Sequence, residues 1–172
     1  MRIGTMDIGR KKRGVTGMKV AEALALRADA ARRVDQLKAR IVANARYQEG
    51  EEPSENAATL LAEAGTTLDH LEELIRRINR TNAAATIGPD GTLSDALARR
   101  DTLRLRHSVV TAAADAAAGK NTGYQRQLRS ELKMLSALRV SALRAQSDAL
   151  SREIREIDVR IQRANWEVDL LD

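Results

Sequence analysis

Apolar residues recur at alternating steps of four and three positions along two long segments of the chain. The first series consists of Ala57, Leu61, Ala64, Leu68, Leu71, Ile75, Ile78 and Asn82. The second consists of Leu143, Ser147, Leu150, Ile154, Ile157, Ile161, Ala164 and Val168. This spacing places one apolar stripe along an α-helix that packs against other helices. The pattern therefore predicts an all-α protein, an antiparallel four-helix bundle of long, coiled-coil-like helices.

Glycine, proline and short polar residues divide the chain into four predicted helices. Pro53-Ser54 supplies a stop and an N-cap before the second helix, and Gly88-Pro89-Asp90-Gly91 is a tight turn before the third. Another break lies at residues 119–123. We expect the first helix over about residues 18–48, the second from the end of the polar connection 50–56 to about residue 82, and the fourth over about residues 140–166. The third begins at a cap formed by Ser94 or Thr92 and continues to about residue 118.

Two short segments suggest a small extended or β-hairpin element beside the helices. Thr86-Ile87 and Thr92-Leu93 flank the tight turn and predict a two-stranded ribbon. Apolar side chains alternate over residues 131–140, and this period of two predicts a short strand, although leucine and methionine would also tolerate a helix.

The second and fourth predicted helices contain similar ten-residue segments. Residues 73–82 align without gaps to residues 156–165, with five identical and three similar positions. Duplication of a helical hairpin would produce this similarity, and so would shared helix chemistry. Ten residues do not separate the two explanations.

The basic charge of the chain is concentrated at its start. Residues 1–17 carry five cations against one aspartate, a net charge of +4, whereas the whole chain carries +5. We interpret residues 1–17 as a flexible basic tail and residues 18–172 as one helical bundle domain with a net charge of only +1. A nucleic-acid partner, bound through residues 10–13 and the arginines of the third helix, therefore gains little support from composition.

Composition excludes several classes of site. The chain has no cysteine, so disulfides and thiolate metal sites are excluded. No apolar run approaches the ~20 residues that cross a bilayer, and no signal-peptide core follows the basic start. We expect a cytoplasmic protein with no membrane partner.

An antiparallel bundle would bring polar residues of all four helices to one pole. The candidate site at this pole consists of Glu22, Arg27, Asn79, Asn82, Arg100, Asp101, Arg104, Asn165 and Trp166. Asp101 lies four residues from both Leu97 and Leu105, so we expect it on an apolar face with an arginine partner. Two interpretations stay open: an ion-pair network that fixes helix register, or an anion or small-molecule pocket with Arg100 and Arg104 as donors and Trp166 as a lid.

The sequence gives no positive evidence for an enzyme. Neither His70 nor His107 follows a glutamate by three positions, so the Glu-x-x-His pattern of di-iron bundles is missing. No phosphate-binding glycine loop, His-Glu-x-x-His motif or nucleophile elbow occurs. We expect no metal and no cofactor, and we interpret His107 as a solvated residue or an interhelical hydrogen-bonding one.

Several phrases resemble a family of small, uncharacterised bacterial proteins named septicolysin-like. The matching residues are 18–24, 44–53, 78–82, 99–101, 130–133 and 161–166. The resemblance covers residues 18–172 and implies a helical fold without implying an activity. The family name suggests a pore-forming lysin, but the chain carries neither a secretion signal nor a membrane-length segment.

Self-association follows from apolar residues that a single stripe leaves uncovered. Leu60 and Leu74 lie outside the stripe of the second helix, and the first helix is expected to extend beyond a shorter third helix. We therefore interpret the chain as an oligomeric helical protein with a structural or protein-interaction role. A nucleic-acid or ribosome-associated binder and a small-molecule or anion-binding protein remain the alternatives.

Overall fold

Four long α-helices account for most of the folded chain. The computed structural model describes residues 17–120 and 135–172. Its helices are α1 (Val20–Asn44), α2 (Ala57–Ala84), α3 (Leu93–Ala117) and α4 (Val140–Glu167), with a short 3-10 turn at Gly88–Asp90 before α3. No strand occurs within these residues, so the predicted all-helical class is confirmed.

The helices pack as two pairs, α1 along α2 and α3 along α4. The pairing is consistent with a bundle, but few contacts join the two pairs. Most buried apolar residues of the described chain accordingly form three clusters and not one continuous core. The α3–α4 cluster is the largest, and the α1–α2 pair holds two smaller ones, at Leu37 and Leu60 and at Leu74 and Ile78.

The two pairs are equivalent in length and in the placement of their core residues. Helices α1 and α3 each have 25 residues, and α2 and α4 each have 28. Aligned from their first residues, α1 and α3 bury matching positions. These are Val20, Ala23, Ala30 and Leu37 in α1, and Leu93, Ala96, Leu103 and Val110 in α3. The similar segments of α2 and α4 therefore lie at equivalent positions of two helix pairs that repeat each other in structure.

The backbone repeats the same equivalence where the pairs meet. Val20 N donates to the Val168 carbonyl at 3.1 Å, and the matching Leu93 N donates to the Ala85 carbonyl at 2.8 Å. An isolated β-bridge joins Lys19 to Asp169, two residues after the end of α4. Another joins Thr92 to Thr86, two residues after the end of α2. The start of each pair is thus bonded to the end of the other.

Each pair also receives one apolar side chain from the end of the other. Ile87, which follows α2, is buried in the α3–α4 cluster with Leu93 and Ile157. Leu170, which follows α4, is buried in the α1–α2 cluster with Ala23 and Leu74. This reciprocal exchange holds the two pairs together at one end.

The N-termini of α1 and α3 share one capping hydrogen bond, from the backbone of the N-cap residue to an acid three positions later. The backbone N–H of Lys19 donates to Glu22 Oε2 at 3.0 Å, and that of Thr92 donates to Asp95 Oδ2 at 2.9 Å. Hydrogen bonds from the Thr92 hydroxyl and amide hold the pKa of the Asp95 carboxyl below its ordinary value. An acid in the first turn also interacts favourably with the helix dipole.

The extended elements predicted from the sequence are not confirmed. The expected ribbon is a single bridge between Thr86 and Thr92. Residues 135–139 form no strand, and α4 begins at Val140 as predicted. The rest of the predicted strand, residues 131–134, and all of the predicted tail except Gly17 lie outside the described residues.

The structure contradicts two expectations: that Leu60 and Leu74 are uncovered in the single chain, and that the first helix extends beyond the third. Leu60 and Leu74 are 4% and 2% exposed because they face α1, whereas Leu61 is 63% exposed. Neighbouring positions on a helix point about 100° apart, so the buried face includes Ala64 and Ile78 of the predicted stripe but is turned away from its members Leu61, Leu68 and Ile75. The first helix also does not outreach the third, since α1 and α3 are equally long.

Candidate functional site

The predicted pole forms, since the starts of α1 and α3 are bonded to the ends of α4 and α2. Four of its nine candidate residues, however, form separate contacts and not one shared site. Glu22 caps α1, Arg100 Nη2 bonds Asp101 Oδ1 at 2.8 Å, and Arg104 Nη2 bonds Asp158 Oδ2 at 2.9 Å. These contacts are a helix cap, an ion pair between adjacent residues, and an ion pair that joins α3 to α4.

Asp101 does not lie on the buried face of α3. Its side chain is 61% exposed, because the face that packs on α4 is formed by Leu93, Ala96, Leu103 and Val110. The expectation of a buried Asp101 with an arginine from a neighbouring helix is therefore wrong. Its partner Arg100 is the adjacent residue.

The remaining candidates differ in exposure. Arg27 and Asn79 are exposed, Asn82 and Asn165 are partly buried, and Trp166 is 64% exposed. Asn82 Oδ1 is buried without a hydrogen-bond partner among the residues that the structure describes. Clefts of about 440, 390, 350 and 270 Å³ are all lined by other residues. Because the Trp166 side chain is exposed, it does not cover a pocket at the pole as the predicted lid would.

The buried carboxylate belongs to Asp90, which sequence reasoning missed. Its side chain is fully buried, with Oδ1 at 2.7 Å from Arg99 Nη1 and Oδ2 at 2.6 Å from Arg160 Nε. Asp90 lies in the turn before α3, and the two arginines lie on α3 and α4. The tight-turn motif gave no signal of this role, because aspartate is common in exposed turns.

His107 forms a polar layer inside the α3–α4 contact. Its Nε2 lies 3.0 Å from Ser147 Oγ and 3.0 Å from Ser151 Oγ, and Thr111 Oγ1 lies 3.2 Å from Ser147 Oγ. The interpretation of His107 as an interhelical hydrogen-bonding residue is confirmed. His70 is exposed.

An exposed apolar stripe lies on the outer face of α3, opposite its contact with α4. Its members are Ala98, Thr102, Leu105, Val109, Ala112 and Ala116. They follow the four-three spacing of a coiled-coil seam. All six are exposed, with Leu105 at 70% and Val109 at 69%. We call these residues the α3 outer stripe.

The equivalent face of α1 is polar at its centre. At the positions matching Leu105 and Val109, α1 carries Arg32 and Gln36, and Arg32 forms an ion pair with Asp29. The fold of a helix pair therefore does not require apolar residues on this face. The α3 outer stripe is an addition specific to the second pair.

Residues 17–120 and 135–172 contain neither a metal-binding cluster nor a membrane-spanning helix. No group of three or more histidine, cysteine or acidic side chains is placed to hold a metal ion. No helix in these ranges is long and apolar enough to span a bilayer.

Comparisons with known proteins identify relatives without a known activity. A family model described as a family of unknown function, DUF6847, matches residues 27–170. A crystal structure titled as a functionally unknown conserved protein from Corynebacterium diphtheriae is 35% identical, with a TM-score of 0.80, over 90% of this chain and 99% of that one. No curated protein matches the chain.

Proposed function

The chain belongs to the family of unknown function DUF6847, and we propose that it is a self-associating helical protein with a structural or protein-interaction role. The α3 outer stripe is the observation that carries this proposal. The comparisons support an uncharacterised family and not the septicolysin name.

Within each chain we infer that the paired helices run antiparallel. Arg33 Nε bonds Glu63 Oε1 at 3.1 Å, and Arg40 Nε bonds Glu55 Oε2 at 2.9 Å, so numbers rise along α1 as they fall along α2. The hydrogen bond from Arg40 holds the pKa of the Glu55 carboxyl below its ordinary value. In the second pair, the Arg104–Asp158 and Thr111–Ser147 contacts follow the same order.

The partner that best fits the α3 outer stripe is a second copy of this chain. The stripe has six seam positions, five of them apolar and one threonine. Such a seam on a regular helix is complementary to the same residues on an identical helix, and most soluble oligomers are homo-oligomers. Each large side chain of the stripe has about two thirds of its surface in water. A second α3 would bury Leu105 and Val109 together.

The contact is small, so its affinity should be modest. From Ala98 to Ala116 the stripe is roughly 27 Å long at 1.5 Å per residue. A single helix-to-helix contact of this length is at the low end of specific interfaces, which bury about 800 Å² per partner at standard size. We expect association that depends on concentration in the micromolar range.

The first test replaces the stripe with the residues of its structural counterpart. In the double variant Leu105→Arg and Val109→Gln, α3 carries the side chains that α1 carries at the same positions. Analytical ultracentrifugation from about 1 to 300 µM should show the wild type associating and the variant staying monomeric. The dimer loses the burial of four apolar side chains, each contributing about 1.5–3 kcal/mol, so association should weaken by roughly 10,000-fold.

A matched control separates this face from exposed leucines in general. Leu61→Arg changes a side chain of similar exposure on α2, where α4 carries Arg144 at the equivalent position. This variant should associate like the wild type. A wild type that stays monomeric at every concentration would refute the proposed function.

The nucleic-acid alternative is less favoured by the contacts of α3. Three of its arginines already bind carboxylates: Arg99 binds Asp90, Arg100 binds Asp101 and Arg104 binds Asp158. Residues 10–13 lie outside the described chain. No observation favours a small-molecule or anion pocket at the pole over local ion pairing.

A further inference from the structure

We infer that two copies dock through their α3 outer stripes in parallel and in register, with Asp101 of each copy beside Arg106 of the partner subunit. The inference rests on the proposed self-association and adds its orientation and the charge pair that selects it.

Heptad positions follow directly from the stripe. Its four-three spacing makes Ala98, Leu105 and Ala112 the d positions, and Thr102, Val109 and Ala116 the a positions. The flanking e positions are then Arg99, Arg106 and Ala113, and the flanking g positions are Asp101, Ser108 and Asp115. One flank of the stripe is thus basic in its first half, and the other carries two acids.

The flanking charges distinguish the two possible orientations. In a parallel pair, a g residue lies beside the e residue five positions later on the other helix, which brings Asp101 next to Arg106. In an antiparallel pair, e residues face e residues and g residues face g residues. That arrangement would place Arg106 beside its own copy and Asp101 beside Asp115, and like charges at this distance repel.

Both members of the proposed pair are accessible in the single chain. The Asp101 side chain is 61% exposed and bonds only the adjacent Arg100 through one oxygen, Oδ1. Arg106 is exposed and forms no ion pair with any residue of 17–120 or 135–172. Docking would give this arginine a carboxylate without breaking a contact between helices.

The large residues at the seam fit a parallel two-stranded contact. A β-branched residue at a with leucine at d favours two parallel strands, and here Val109 occupies a and Leu105 occupies d. The alanines at both ends allow the helix axes to approach closely. A two-fold axis parallel to α3 then produces a closed dimer and not an open chain.

The decisive experiment uses the absence of native cysteine. Ala98→Cys and Ala116→Cys each place one thiol in the full chain, at opposite ends of the stripe. Under mild oxidation above the association midpoint, a parallel pair cross-links each variant to itself. An antiparallel pair cross-links only the mixture of the two variants, because it places residue 98 beside residue 116, and this outcome would overturn the inference.

Charge reversal tests the pair without a cross-link. Asp101→Arg and Arg106→Asp should each weaken association by roughly ten-fold, because each creates two like-charge contacts in the dimer. The double variant should restore it to near the wild-type value and show the same weak salt dependence. Single and double variants with unchanged association would overturn the proposed pair.

The outcomes separate the inference from the function on which it rests. A wild type that associates while Leu105→Arg with Val109→Gln has no effect places the contact elsewhere, so self-association stands and the inference fails. A wild type that never associates removes both. Circular dichroism of each variant confirms that the helices are retained.

Discussion

Replacing Ile87 with alanine should lower the free energy of unfolding by about 2–4 kcal/mol, the range for removing a buried isoleucine from a packed core. Ile87 follows α2 in the chain but is buried in the α3–α4 cluster. We therefore expect the loss to appear mainly in α3 and α4. Urea denaturation measures the total, and hydrogen exchange on the native protein shows which helices lose protection.

Leu170→Ala is the matched variant, with the opposite distribution. Leu170 follows α4 but is buried with Ala23, Leu74 and Ile78 of the first pair. We expect a similar destabilisation, with exchange increasing in α1 and α2 first. Equal losses of protection in all four helices for both variants would contradict reciprocal exchange as the contact that joins the pairs.

The four helices could be predicted because each one carries its own evidence. Pro53 before α2 and the tight turn before α3 restrict the backbone locally, and long runs of helix-favouring residues favour the helices themselves. The predicted N-cap Ser54 is wrong, because the side chain of Asn56 accepts the hydrogen bond from Thr59 N at the start of α2, whereas the Ser54 hydroxyl donates to Asn44. The junction of the pairs could not be predicted in the same way. The Val20–Val168 hydrogen bond joins residues at the two ends of the described chain, and nothing local to either residue indicates it.

The buried face of α2 shows a different limit. Leu60 and Leu61 begin two adjacent apolar rows along α2. Periodicity alone does not decide which of these two rows packs against α1. The structure buries Leu60, Ala64, Leu74 and Ile78 and leaves Leu61 and Leu68 63% and 48% exposed. The decision depends on the position of a partner helix, which is not a property of α2.

The sequence predicted which helix ends meet at the pole, but it did not predict which carboxylate would be buried there. The expected antiparallel order of the helices places the correct ends next to one another. Which carboxylate is buried there depends on the conformation of the turn before α3. Asp90 enters the interior because residues 88–90 form a 3-10 turn between α2 and α3. Asp101, more than two turns into the regular helix α3, stays exposed to water.

Breaking the Asp90 network should produce the second large loss of stability. Asp90→Asn keeps the size of the side chain but removes the charge that accepts bonds from Arg99 and Arg160. A hydrogen bond to a charged group contributes about 1.5–3 kcal/mol, and a buried polar group left without its partner carries a similar penalty. We expect a loss of about 2–3 kcal/mol, measured by urea denaturation at neutral pH.

A double-mutant cycle assigns that loss to the ion pairs and not to the turn. Arg160→Gln removes the less exposed arginine, which is 37% exposed against 53% for Arg99, so it should cost more than Arg99→Gln. Combined with Asp90→Asn, Arg160→Gln should show a coupling free energy of about 1–2 kcal/mol. Strict additivity would mean that Asp90 stabilises the turn alone, and that the two helices of the second pair do not depend on it for their alignment.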